Sequence, residues 1–196
     1  MSDNTIEFVK AALNNGTVNV LPDPNLKDSA VLLLLYPKDG EYCVLFNKRS
    51  MEVEFNKGEM CFPGGARDPE DGDMAFTARR EAHEEMGILP ADITILGELD
   101  ETSTRAGFRI HPFVGTIPYP YGFSPSTVEV AEVVEVPISS LMDSRNIREG
   151  VRVMPDGQRV EAKSYAHKEH LIYGATARIL MQFLEILEQA GWPKEA

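Results

Sequence analysis

Between Phe62 and Ile88 the chain reads FPGGARDPEDGDMAFTARREAHEEMGI, and its last part, Arg80-Glu81-Ala82-His83-Glu84-Glu85-Met86-Gly87, constrains the fold most. An α-helix turns about 100° per residue, so Glu81, Glu84 and Glu85, spaced i, i+3 and i+4, fall on one face. Carboxylates crowded in this way repel one another, and a fold keeps them more readily with positive charge among them. Hard divalent cations with oxygen ligands, Mg²⁺ or Mn²⁺, suit such a face. Arg80 adjoins it and is placed to pair with a carboxylate and aim it. Pro63-Gly64-Gly65 precedes the helix, and glycine's missing Cβ lets backbone groups approach the same ion. Three glutamates on a helix also describe an ordinary solvated face, so the surrounding text has to decide.

Composition narrows the choice. With 196 residues, 43% of them hydrophobic, the chain suits one domain with terminal additions and a sizeable core. A formal net charge of −12 excludes a general nucleic-acid or anionic-membrane binder. An anionic small substrate remains compatible with that charge where metal ions and a few arginines reverse the field locally. No apolar run reaches membrane-spanning length, and MSDNTIEFVK lacks a basic n-region, so a cytoplasmic address is expected. Cys43 and Cys61 lie in apolar contexts without metal-ligand spacing and read as small buried residues.

Along the chain, residues 3–15 read as a short helix stopped by Asn14-Asn15-Gly16. The apolar runs 29–36 and 43–46 flank Pro37-Lys38-Asp39-Gly40 and predict a hairpin of the central sheet. Asp73 is the expected N-cap of the acidic helix and Gly87 its stop. Ala75, Ala78, Ala82 and Met86 are expected to face the sheet, with the glutamates outward. Residues 93–99, 108–117 and 129–137 read as strands, 100–107 as a loop and 150–165 as a second hairpin about Pro155-Asp156-Gly157. An amphipathic helix is expected over 170–190, closed by Gly191-Trp192-Pro193, with its apolar stripe in the core.

The Gly-Gly turn, polar loop and Arg-Glu-x-x-Glu-Glu-x-Gly run closely resemble the signature of the Nudix hydrolases. Members of that family cleave nucleoside diphosphates linked to another moiety, using Mg²⁺ or Mn²⁺. Fourteen residues separate Gly65 from Arg80, one more than the general pattern. The first acidic position of that pattern lands on Asp71 counted forward and on Gly72 counted back. The stretch LFNKRSMEVEFNKGEMCFPGG is similar to an extra motif of the coenzyme A diphosphatase branch, whose signature carries the same extension. Arg49, Ser50, Gly58 and Phe62–Gly65 fall in register, while Asn47 replaces a threonine and Glu54 an arginine. Thr104, Gly107, Phe108, Pro112, Val114 and Gly115 resemble the branch as well, as does the stretch 172–178.

The resemblance implies an α/β Nudix fold with a mixed, partly antiparallel sheet sandwiched between the catalytic and C-terminal helices. The domain would span 29–196, after a helix and linker over 1–28. Glu81, Glu84 and Glu85 would hold the metal with the Gly64 carbonyl, and Arg80 would orient a glutamate, so that Glu81, Arg80 and Glu84 carry catalysis. Deprotonating water falls to a helix glutamate or to Glu129 or Glu132. Arg49, Arg67 and Arg105 are candidate substrate contacts, with Arg109 beside them. His83, His111, His167 and His170 lack partner spacing and read as structural or exposed. The implied substrate is a small-molecule nucleotide conjugate, with coenzyme A favoured and its products 3′,5′-ADP and 4′-phosphopantetheine. ADP-ribose or a nucleoside diphosphate sugar is the rival, followed by a non-hydrolytic nucleotide sensor and an isoprenoid diphosphate isomerase. A homodimer is left open.

Overall fold

Strand alternation sorts the first apolar run onto two faces, and the layers of the molecule follow from it. The computed structural model describes residues 2–153 and 157–192. In it α1 (Ser2–Leu13) precedes β1 (Lys27–Lys38), β2 (Glu41–Arg49), β3 (Met60–Cys61) and β4 (Gly64–Ala66). Next come α2 (Met74–Met86), β5 (Thr94–Glu98), β6 (Thr102–Ser103), β7 (Phe108–Thr116) and β8 (Val130–Pro137). After α3 (Ile138–Met142), the strands β9 (Ile147–Val153), β10 (Arg159–His167) and β11 (His170–Ile172) lead to α4 (Gly174–Gln189).

Ala30, Leu32, Leu34 and Tyr36 of β1 point to one side and pack with Ala78, Ala82 and Met86 of α2. Leu33 and Leu35 point to the other side, where Val9 and Leu13 of α1 and Phe183 and Leu187 of α4 cover them. The sheet is therefore a sandwich filling, as the resemblance implied. It is mixed: β1 runs parallel to β7 and antiparallel to β2, in the order β3-β2-β1-β7-β5. Strand β8 pairs β2, β4 pairs β1 and β6 pairs β7, while β9, β10 and β11 form a separate small sheet. The β1–β2 hairpin turns on Asp39 and Gly40, at φ 52° and 89°, the left-handed pair that a tight hairpin requires.

Three details depart from the expectations. The C-terminal helix begins at Gly174, because 170–172 instead pair with β10 as β11. Lys168, at φ 52°, makes that turn, and a Lys-Glu pair carries no turn signal in sequence. The loop 100–107 contains β6, and the short helix α3 falls where no element was expected. Pro155 and Asp156 of the expected second turn, and Pro193 of the expected C-terminal stop, lie outside the described residues; the flanking strands β9 and β10 do pair antiparallel.

Helix α2 is fixed at both ends. Asp73 accepts the Phe76 N–H at 2.7 Å, and Gly87, at φ 70°, returns its N–H to His83 O at 2.8 Å. Asp73→Ala is expected to remove about 1 kcal/mol of stability, seen as a lower urea midpoint at unchanged slope.

Candidate active site

One guanidinium gathers the acidic groups. Arg80 Nε and Nη2 donate to the two oxygens of Asp71 at 3.0 and 2.9 Å, a bidentate fork. Its Nη1 donates to Glu81 at 2.8 Å and to Glu84 at 2.9 Å, and Nη2 also reaches Ala66 O at 3.0 Å. An arginine has five N–H groups, and these five bonds use them all. Arg80 is thus committed to holding protein carboxylates and has no donor left over.

Asp71 anchors the fork. It is 4% exposed and also accepts from the Thr77 hydroxyl at 2.8 Å and the Asp68 N–H at 3.0 Å. Arg80, above all, holds its carboxyl well below the usual carboxylate range. The forward count from Gly65 therefore finds the residue in the first acidic position, and Gly72 is an exposed neighbour.

The glutamates do not all face outward. Glu84 is exposed, but Glu85 is 4% exposed. Glu85 lies three residues after Ala82 and seven after Ala78, so it shares their inward face and reaches the glycine turn. There its Oε2 accepts from Asn47 Nδ2 at 2.8 Å and from the Gly64 N–H at 3.1 Å, and Arg49 Nη1 stands 3.5 Å from Oε1. Burial pushes the Glu85 carboxyl up to about 7, against the pull of the Gly64 N–H and Arg49. Burial raises Glu81 too. Desolvation outweighs the arginine beside each, Arg80 at Glu81 and Arg49 at Glu85. Gly65 makes room for one of them: a Cβ there would stand 2.5 Å from the Glu81 carboxylate. This donor set, all oxygen and anionic, with two carboxylates desolvated beside a glycine turn, fits a hard divalent cation.

The remaining candidates separate. Arg49 and Arg105 line a cavity of about 540 Å³ that also takes in Gly64, Gly65, Phe55, Tyr173 and Arg178. Arg67 is exposed outside it and donates to Asp71 O at 3.1 Å. Arg109 is removed from the site: it pairs with Asp28 at 2.7 Å and bonds Leu21 O at 2.8 Å, tying down the segment before β1. Glu129 is exposed, and its charge raises both Glu81 and Glu85. Glu132 faces the other way. A register shift between Lys48 and Arg49 lets Val130 pack on the α2 side, while Glu132 keeps the parity of Val134 and Val136, which enter the α4 side. His83 is exposed, and His111 bridges Asp28 and Glu101 at 3.2 and 3.1 Å. Cys61 donates its thiol to Asn47, and burial pushes it up to about 12, so it stays an inert thiol.

Sequence reasoning missed Asn47 as a site residue. It is 1% exposed and aims Glu85. The signal was available, since Asn47 shares the parity of Cys43 and Leu45, which face α2.

A family model described as the NUDIX domain matches residues 26–143. The chain belongs to the Nudix family. It is 33% identical over 161 residues to an uncharacterized Nudix hydrolase, NudL, of Photorhabdus laumondii, covering 82% of this chain and 85% of that one. It is also 29% identical to the peroxisomal coenzyme A diphosphatase NUDT7 of Mus musculus, covering 96% of this chain and 83% of the mouse protein. Among solved structures, the Nudix hydrolase RenU from M. smegmatis superposes with a TM-score of 0.57 at 19% identity, covering 87% of this chain and 90% of that chain. That likeness shows the fold. As a Nudix hydrolase the protein acts on phosphorus-containing anhydrides. No described helix is long and apolar enough to cross a membrane.

The raised Glu85 carboxyl has a signed consequence. An unfolded glutamate titrates near about 4.3, so between that pH and about 7 the folded, metal-free enzyme holds a proton that the unfolded chain gives up. Stability contributed by this group therefore falls as pH rises through that window. Glu85→Gln should raise the stability of the metal-free enzyme by about 3 kcal/mol at pH 8 and by almost nothing at pH 4. Denaturant unfolding in EDTA at the two pH values checks this.

Proposed function

We propose that this Nudix hydrolase cleaves the diphosphate bond of coenzyme A or its derivatives, giving 3′,5′-ADP and 4′-phosphopantetheine. The observation that carries the reading is the cavity beside the glycine turn. In a chain of formal charge −12 it is lined by three arginines, Arg49, Arg105 and Arg178, against one glutamate, Glu59. Phe55, Phe108, Tyr173 and Ile179 give it apolar walls. Cationic and apolar groups together suit a conjugate with several phosphates and a long uncharged arm. The similarity to the mouse coenzyme A diphosphatase along nearly the whole chain, and the register of Arg49, Ser50, Gly58 and Phe62–Gly65, support the same choice.

A hard divalent cation, Mg²⁺ or Mn²⁺, held by Glu81, Glu84, Glu85 and the Gly64 carbonyl would supply charge neutralisation and a water of lowered pKa. The protein's own contribution is alignment. Arg80, braced by Asp71, aims Glu81 and Glu84; Asn47 and the Gly64 N–H aim Glu85. Arg49 reaches from Glu85 to the cavity, so it joins the diphosphate to the rest of the conjugate, with Arg105 farther along the wall. Glu129, near both buried carboxylates, is better placed than Glu132 to take the proton of the attacking water.

Glu54 is exposed, one residue before Phe55 of the cavity wall, where the branch motif has arginine. At an effective dielectric near 20, two unit charges 4 Å apart interact by about 4 kcal/mol, enough to weaken binding of an anion measurably. A panel of coenzyme A, dephospho-coenzyme A, ADP-ribose and a nucleoside diphosphate sugar should show coenzyme A cleaved best with Mg²⁺ or Mn²⁺, and EDTA should stop it. Glu54→Arg should lower KM for coenzyme A more than for dephospho-coenzyme A. Preference for ADP-ribose, with no gain on coenzyme A from Glu54→Arg, sinks the coenzyme A reading. Nucleotide binding without cleavage of any panel member favours a sensor.

A further inference from the structure

On the sheet face opposite α2, the fold brings one histidine and two glutamates together. Glu132 comes from β8 of the large sheet, on this side by the same parity as Val134 and Val136. Glu169 sits in the Lys168-Glu169 turn of the small sheet, and His170 opens β11. One ligand atom from each lies within 4.8 Å of the other two, the sole such group of acidic, histidine or cysteine side chains found among the described residues. The glutamates are exposed, but the His170 side chain is 4% exposed.

The spacing is informative. His170 Nε2 is 3.4 Å from Glu132 Oε1 and 3.8 Å from Glu169 Oε1. A charge-assisted N–H···O bond closes to about 2.7–2.9 Å, so the buried ring nitrogen is aimed at both oxygens and tightly bonded to neither. The separation from Glu132 matches neighbouring corners of a metal tetrahedron, and the longer one from Glu169 closes to it by a small movement of an exposed side chain. Bonds of about 2.0–2.1 Å to nitrogen and oxygen place adjacent ligand atoms about 3.3–3.4 Å apart. The donor set differs from that of α2. An imidazole with two carboxylates suits a borderline transition ion, whereas Mg²⁺ favours oxygen alone.

We propose that Glu132, Glu169 and His170 form a second divalent-metal site, of the Zn²⁺ class. Its fourth position faces solvent, as the exposure of both glutamates allows. With Glu132 on the large sheet and the other two ligands on the small one, the ion cross-links the sheets. None of the three lines the cavity beside the glycine turn, so the proposal does not depend on which conjugate is cleaved.

Zn²⁺ added to the full-length protein, with millimolar Mg²⁺ present to fill the oxygen-only site, is the probe. Calorimetry should give one Zn²⁺ per chain. At a hundredfold excess over Kd the melting temperature should rise by about 5 °C or more. Glu169→Gln, at the surface and therefore safe for folding, should weaken Zn²⁺ at least about tenfold, the cost of losing even an outer-shell partner. It should leave turnover in Mg²⁺ alone unchanged. His170→Gln should weaken Zn²⁺ as well, and an anomalous difference map of Zn²⁺-treated crystals should peak between the three side chains. The proposal is overturned by equal Zn²⁺ affinity in the Glu169→Gln protein, by a peak at α2 only, or by a wild-type protein that takes up no Zn²⁺ because Lys48, opposite Glu132 in the β2–β8 ladder, already balances the carboxylates.

Discussion

The fork between Arg80 and Asp71 is the interaction on which the active site depends. Asp71 belongs to the loop after β4 and Arg80 to α2, so the pair fixes the helix against the glycine turn. Its aspartate side chain is 2% exposed and the arginine 18%. Removing Arg80 would leave the buried Asp71 carboxylate without its cation, a loss of about 3–5 kcal/mol. With Asp71 holding the Nε–Nη2 edge of the guanidinium, the remaining N–H groups point at Ala66 O, Glu81 and Glu84. One ion pair therefore sets the direction of two carboxylates.

Glu85 is arranged by different means. Its one ion pair, to Arg49, is long at 3.5 Å, and an amide from β2 and a backbone N–H from the glycine turn point at it. These groups orient the carboxylate without neutralising it, and burial leaves it reluctant to ionise. Positive charge supplied from outside the chain is worth most where protein charges are weakest. The same logic runs through the cavity, whose arginines offset an acidic molecule at the place where an anionic substrate must enter.

Much of this was legible in the residues. Periodicity gave the inward stripe of α2, because burial on a helix repeats with the backbone. Asp39-Gly40, Asp73 and Gly87 announced a hairpin and two helix ends, since each supplies a conformation or cap that few residues can. What stayed hidden depends on contacts between distant segments. The Lys168-Glu169 turn carries no turn chemistry, so β11 was read as helix. Glu129 and Glu132 both looked available to the site, but Glu132 shares the face of Val134 and Val136, on the α4 side of the sheet. Glu85 was expected outward with its neighbours, although its spacing from Ala78 and Ala82 already placed it inward. Arg109 looked as available as Arg67 or Arg105, but Asp28, far away in sequence, holds it.

The central claim is that Asp71 acts on the reaction through Arg80. A double-mutant cycle on kcat with Asp71→Asn and Arg80→Gln tests it most directly, after each variant is shown to be folded. If the two act as one unit, each single change slows turnover, and the double variant is scarcely slower than Arg80→Gln alone. The interaction free energy should then exceed about 1 kcal/mol. Effects that add within about 0.5 kcal/mol would contradict the account, because they would mean that Asp71 and Arg80 serve the site separately.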